Sequence, residues 1–422
     1  MSLLEPRLIT KKVLSWALYD WANSAFALSV MAVLFPLALG SYWNSNHDHL
    51  TSTFNLGWVT FASSLVVFLS APVLGILADK GGYRRQFLFL FSMIGALATI
   101  GLGLISQDDL FIALCFYLIA SVGFYSSIIF YDSLLVDVTK PKNFSFVSNF
   151  GYSLGYLGGA VLLALHLWMF NSPQTFGFVL AKDVFSFAFI SVGIWWMIFL
   201  LPAIFFIPET SKSKELSNNS IRDTYKKLKL TFKKIKQYRN IVIFLVAYWL
   251  YIGGVTTVIF MAVNFGQRLG FNDNDLVLAL LISNFIGFPA TFLYGLFAHH
   301  LGAKKGLYLA LIAYIGVCLW AIQMTEIKEF YILSFIIGIF QGASQGLSRS
   351  IYASIIPMNN SGEFFGFYSM VTKFANVIGP ALVAIAATVS NDPKWVLISL
   401  IPMFIMGSFI LSFVKISNKE LD

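Results

Sequence analysis

Charge is scarce in this chain: Asp, Glu, Lys and Arg make up 11% of its 422 residues, against 58% hydrophobic residues and a mean hydropathy of +0.77. A water-soluble globule of this size cannot bury so much apolar surface, which excludes a soluble fold and makes lipid the expected solvent. Cysteine is as rare. Cys115 and Cys318 stand far apart inside apolar runs with no CxxC spacing, so they read as packing residues and no disulfide framework is expected. Also missing are a Gly-Lys-Ser/Thr phosphate cradle, a nucleophile elbow and any zinc-ligand spacing. The chain is therefore expected to hold no cofactor or metal, to drive nothing with ATP and to catalyse no reaction.

What is present is a series of long apolar runs. About 20 such residues cross the roughly 30 Å hydrocarbon core as a helix, and the period-two alternation of membrane barrels is absent. Twelve runs are legible, at 13–43, 55–78, 86–105, 110–136, 144–170, 184–207, 240–268, 274–298, 304–322, 330–356, 362–389 and 395–415. The expected fold is an all-α membrane protein of twelve transmembrane helices in two six-helix halves, residues 1–207 and 240–422, joined by a linker at 208–239. The first run carries Asp20, Trp21 and Asn23 where a secretory signal would be uninterrupted, so it is expected to remain as a helix. Placing both termini in the cytoplasm puts 22 of the 28 Lys and Arg on the inner face, as the positive-inside rule requires. A multi-pass protein of the cell membrane, plasma or inner, is expected.

The linker holds the whole net charge of +8: residues 212–239 carry ten basic residues against Glu215 and Asp223. Ile221, Tyr225, Leu228, Phe232 and Ile235 form an apolar stripe at helical spacing, which predicts an amphipathic helix on an anionic lipid surface or else a solvated tether. No base-reading motif accompanies the charge, so nucleic acid is not an expected partner. Nothing calls for an oligomer, and a monomer is expected.

Two segments repeat one pattern 220 residues apart, GILADKGGYRR at Gly75 to Arg85 and GLFAHHLGAKK at Gly295 to Lys305. Each joins two apolar runs in the same place in its half, the mark of an internally duplicated transporter. The first resembles the signature loop between helices 2 and 3 of the major facilitator superfamily through Gly75, Leu77, Ala78, Asp79, Lys80, Gly82, Arg84 and Arg85, and the second keeps the pattern with His299 where the acid would be. LYDWANSAF at Leu18 to Phe26, SVGIWW at Ser191 to Trp196, and QGLSRSIYASIIP followed by GEFFGFYS from Gln345 to Ser369 are similar to its vacuole-effluxer branch, whose fungal founders export amino acids from the vacuole. Two positions differ from that branch: Ile252 and Gly253 follow Tyr251 where it carries an acid, and Asp132 stands where it carries an asparagine.

The charged loop residues predict a gate. Asp79 is expected to face the N-terminus of the eleventh helix near Gly362, where free amides favour an anion, and Arg84 or Arg85 to reach Asp137. Charges inside the spans predict the transport path, because each costs about 2.5 to 3.5 kcal/mol in lipid and must face protein or a water-filled cavity. The resemblance implies that helices 1, 4, 7 and 10 line that path, which places Asp20, Asp132 and Arg349 there.

Asp20 and Asn23 lie one turn apart and could hold a cation, an ammonium group or a proton; Asp20 reads equally as a gate residue, and Asp132 is the rival proton carrier. Arg349 suits a carboxylate, and an acid suits an amine, so a zwitterion fits the set; an Arg349–Asp132 bridge explains the same charges. Gly338, Gln341, Gly342, Gln345, Ser348, Arg349 and Tyr352 make one stripe that lines the cavity or packs against a neighbour, and Tyr248, Tyr251, Asn264 and Gln267 are further candidate lining. Gly151, Gly155, Gly158 and Gly159, with Gly287 and Pro289, are expected to pack the halves together. Lys373 has no assigned role.

The sequence thus predicts a secondary transporter moving a small polar or zwitterionic solute, with amino acids foremost, by alternating access linked to protons. The alternatives are efflux of larger amphipathic compounds, or a non-transporting receptor or scaffold working through its basic linker.

Overall fold

The computed structural model describes residues 8–43, 49–107, 109–180, 183–209, 228–231, 235–389 and 397–416. Its main helices are α1 (Lys11–Trp43), α2 (His49–Gly81), α3 (Arg84–Leu102), α4 (Leu110–Ser133), α5 (Phe144–Asn171) and α6 (Asp183–Phe206), followed by α7 (Arg239–Arg268), α8 (Asp273–Leu301), α9 (Ala303–Ala321), α10 (Ile327–Ile355), α11 (Ser361–Val389) and α12 (Ile401–Ser412). No strand occurs among the described residues. Ten of the described helices, α1 to α10, are long and apolar enough to cross a membrane; α11, of 29 residues, and α12, a shorter apolar helix, complete the series. Large side chains such as Phe111, Leu104 and Leu69 point outward, 78%, 71% and 66% exposed, which only a lipid environment makes favourable. The protein is an integral multi-pass membrane protein.

The two repeated segments use the same backbone device. Gly82, between α2 and α3, has φ 68°, and Gly302, between α8 and α9, has φ 90°. Both lie in the left-handed region where a side chain is strained, so a glycine ends one helix and lets the next start one or two residues later. In α1 the regular turn gives way to π-helix at Phe26–Leu34, directly after the Asp20 and Asn23 turn. A widened turn of this kind re-aims side chains.

Two seams join α1–α6 to α7–α12. Along the first, α2 lies on α11: a Cβ on Gly75 would collide with the Gly362 carbonyl, and one on Gly366 would come 2.5 Å from the Ala71 carbonyl. Along the second, α5 meets α8 and α10 through the Ser153 hydroxyl, which donates to the Phe288 carbonyl at 2.8 Å, and through Gly346, which packs on Asn149. The glycine row of α5 does not serve these seams as expected. Gly151, Gly155, Gly158 and Gly159 face α1, against Trp16, Asp20, Trp21 and Ser24, and bring the two helices of one half into close contact; Gly287 packs across, onto Tyr156.

Most of the 212–239 linker, including the greater part of its apolar stripe, lies outside the described residues. Its last turn, Ile235–Tyr238, is a 3₁₀ segment rather than the expected α-helix, and Tyr238 packs edge-on against Phe364 at 5.1 Å.

Candidate functional site

Charges buried in a chain so poor in them should be partnered, and two groups of partners form. The first is at the end of the bundle where the α2–α3 and α10–α11 turns meet. Asp79 closes α2 and is 1% exposed. Its carboxylate accepts the amides of Gly362 at 3.0 Å and Glu363 at 2.7 Å, the first free N–H groups of α11. An anion there meets unpaired donors and the positive end of the helix dipole. Arg84 fixes the geometry: its guanidinium lies 2.7 Å from Asp79, 2.9 Å from Asp137, and donates to the Asn359 carbonyl at 3.2 Å. The Ser361 hydroxyl adds a bond to the Ser133 carbonyl at 2.9 Å. One Asp and one Arg thus hold α2, α3 and the end of α4 to the start of α11. Arg85 turns away, to the Ile207 carbonyl at 2.9 Å and Glu209 at 2.7 Å, and takes no part in this latch.

The second repeat makes different contacts. His299 Nδ1 lies 3.1 Å from the Lys142 carbonyl, while Lys304 donates to the carbonyls of Ser412 and Val414 at 2.9 Å, capping α12 within its own half.

The second group lies deeper, around Arg349 of α10, which is 1% exposed. Nη1 donates to Asp132 of α4 at 2.8 Å, Nε to the Ser148 hydroxyl of α5 at 2.8 Å and Nη2 to the Ser148 carbonyl at 2.7 Å, and Asp20 of α1 lies 3.6 Å away. Aromatic faces enclose the guanidinium, with ring centres of Tyr152, Trp16 and Tyr131 at 4.2, 4.7 and 5.1 Å. Tyr131 also donates its hydroxyl to Asp20 at 2.7 Å, and Trp16 donates its indole N–H to the Tyr131 carbonyl at 2.8 Å. Three helices of one half therefore converge on one Arg of the other. With each nitrogen of its fork bonded to Asp132 or Ser148, Arg349 is a clamp in this conformation.

The other predicted site residues are distributed around this clamp. Gln345 accepts the Tyr156 hydroxyl at 2.9 Å across the α5–α10 contact, and Gln341 is half-buried one turn away. Gly338 and Gly342 face Ser283 and Thr291 of α8, so that part of the stripe is packing. Tyr251 bonds the Ser348 hydroxyl at 2.7 Å, and Tyr248 lies 3.1 Å from the Thr372 hydroxyl while stacking on Tyr368 with centres 4.3 Å apart. The side chain of Asn264 lies outside the described residues. Asn23 does not join Asp20: it is buried beside Tyr19, and among the described residues its amide nitrogen has no partner. Its aromatic neighbours point elsewhere, Tyr19 to Ser92 and Ser127 at 2.7 and 2.6 Å, and Trp21 to Trp195.

Sequence reading missed Ser148, Tyr131 and Trp16, all in contact with the charged core. Only Trp16 had a signal, one turn before Asp20; a serine and a tyrosine in apolar helices carry none.

The comparisons with known proteins agree with this architecture. The model of the family described as "Vacuole effluxer Atg22 like" matches residues 51–143 and 137–422. The chain belongs to the vacuole-effluxer family. This family member is 33% identical over 408 residues to a Bacillus subtilis protein named as an uncharacterized MFS-type transporter, YxiO, covering 96% of this chain and 95% of that one. It is 23% identical to the Autophagy-related protein 22 of Eremothecium gossypii, covering 91% and 87% of the two chains. Among solved structures, the human organic anion transporter MFSD10 superposes with a TM-score of 0.75 at 16% identity, covering 96% of this chain and all of that one. The proton:xylose symporter XylE gives 0.74 at 14%, covering 96% and 95%. These likenesses establish the major facilitator fold, and the relatives make this vacuole-effluxer family member a secondary transporter rather than an enzyme.

Proposed function

We propose that this protein moves a small zwitterionic solute, an amino acid foremost, across the cell membrane by alternating access coupled to protons, with both termini cytoplasmic. The observation that carries the reading is the Arg349 clamp: a buried cation of α10 pairs with Asp132 and lies 3.6 Å from Asp20, on two helices of the opposite half. Protonating an acid weakens its hold on the arginine, which releases one half from the other and couples proton uptake to opening. The Asp79 latch closes the same end, so clamp and latch open together.

The test is transport in proteoliposomes loaded with labelled amino acids under an imposed pH gradient. Wild type should respond to the gradient, and Asp20→Asn and Asp132→Asn should each weaken that response. Indifference of both variants would remove proton coupling through these acids; no movement of any amino acid would remove the substrate class.

A second reading is favoured by the tyrosines beside the clamp. Tyr152 covers Arg349, and Tyr248, Tyr368 and Tyr352 stack in sequence with centres 4.3 and 4.9 Å apart. Such surfaces suit a larger amphipathic compound, and cationic and anionic aromatic compounds belong in the same assay.

A further inference from the structure

Lys373 is a cation that neither the latch nor the clamp uses. It lies 12 residues into α11 and is 4% exposed, while Phe374 beside it is 48% exposed. Its ammonium lies over the Tyr125 ring of α4, across the boundary between the halves. Among the described residues it takes part in no ion pair, unlike Arg84 and Arg349. Tyr125 precedes Asp132 by seven residues, so at 1.5 Å per residue Lys373 sits about 10 Å along α4 from the clamp, further into the bundle. One turn on along the same face of α11, Asn376 has an enclosed amide oxygen with no partner among the described residues.

A buried ammonium whose partner among the described residues is a ring face is poorly compensated, because cation–π attraction replaces a fraction of lost hydration. Stability alone does not account for a lysine there. Arg349 is committed to Asp132 and Ser148 while the clamp is closed, so a carboxylate entering from the other end must find its cation elsewhere.

We propose that Lys373 is the anion-binding residue of the transport path, taking the carboxylate of the solute, with the Asn376 amide oxygen one turn away to accept from its ammonium group. This rests on the transport reading and names the residue that recognises the anionic end of the cargo. Binding moves the ammonium from the Tyr125 ring onto the carboxylate and makes one neutral pair from a lone charge, which favours closing the path around the solute.

The experiment uses the purified full-length protein, Lys373→Met and Lys373→Arg, with thermal melting and equilibrium binding against the amino acids and the C-terminal amide of each one that stabilises wild type. The expected result is binding of acids but not amides by wild type, a loss of about tenfold or more in Lys373→Met, and a smaller loss in Lys373→Arg. Empty Lys373→Met should melt at or above the wild-type temperature, since a lone buried charge is gone. Equal binding of acid and amide, undiminished affinity in Lys373→Met, or a lower melting temperature of the empty variant would each overturn the assignment while leaving transport intact. A wild type that binds none of the amino acids overturns the amino-acid reading and this inference together.

Discussion

Arg349 and Asp132 meet at 2.8 Å inside the bundle, 217 residues apart in sequence and on opposite halves of the fold. Both are almost fully enclosed, at 1% and 5% exposure. The pair therefore measures whether the halves are together. Breaking a buried pair by removing one partner leaves the other charge uncompensated, at a cost of about 3 to 5 kcal/mol, whereas removing both is far milder. Arg349→Met should lower the melting temperature clearly, and Asp132→Asn/Arg349→Met should recover much of the loss. A double variant no better than Arg349→Met would mean that Asp132 is not the principal counter-charge.

Asp79 and His299 hold equivalent places in the repeat but unequal bonds. Asp79 accepts two amides and a guanidinium, while His299 has, among the described residues, a single hydrogen bond at 3.1 Å. A hydrogen bond to a charged group contributes about 1.5 to 3 kcal/mol, so Asp79→Asn should reduce the transport rate by about tenfold or more. His299→Ala should change it little. Initial rates in proteoliposomes decide the ranking, and the reverse order would move gating to the second loop.

Gly75 is pressed onto the backbone of Gly362 with no room for a side chain. Gly75→Val should wedge α2 from α11 and bias the protein toward the state open at that end. With Cys115 and Cys318 replaced by serine, a cysteine placed at Ser361, which is buried at this seam, should react several-fold faster with a water-soluble maleimide in this variant, because opening exposes it to water. Unchanged labelling would show that the seam does not limit opening.

Ser148 accepts the Arg349 Nε and donates to the Gly346 carbonyl at 2.7 Å. Ser148→Ala removes both bonds and leaves one buried guanidinium N–H unpaired, a penalty of about 1 to 3 kcal/mol. The expected outcome is a lower melting temperature of the empty protein and faster labelling of the same Ser361 cysteine, with Ser148→Thr closer to wild type. A neutral Ser148→Ala would place the hold on Arg349 in Asp132 and Asp20 alone.

Asp132 and Arg349 were legible as partners because a charge in an apolar helix admits few explanations, and the repeat put them at matching depths. Ser148 was not legible, since what it contributes is mostly a backbone carbonyl and a short hydroxyl aimed by the rotation of α5. The glycines of α5 show the same limit: spacing said that something packs closely there, but not that it is α1.

By itself the sequence determined that the chain lives in lipid, that its helices come from a duplicated unit, and that the first repeat carries an acid, Asp79, where the second has His299. These follow from hydropathy, length and charge, which act locally along the chain. Only the tertiary structure decided that Arg84 and not Arg85 closes the latch, that Arg349 is held by Asp132 and Ser148, and that Lys373 has no counter-charge among the described residues. Each depends on how rigid helices rotate and settle against one another. Spacing sets which face a residue lies on, and packing sets what that face meets.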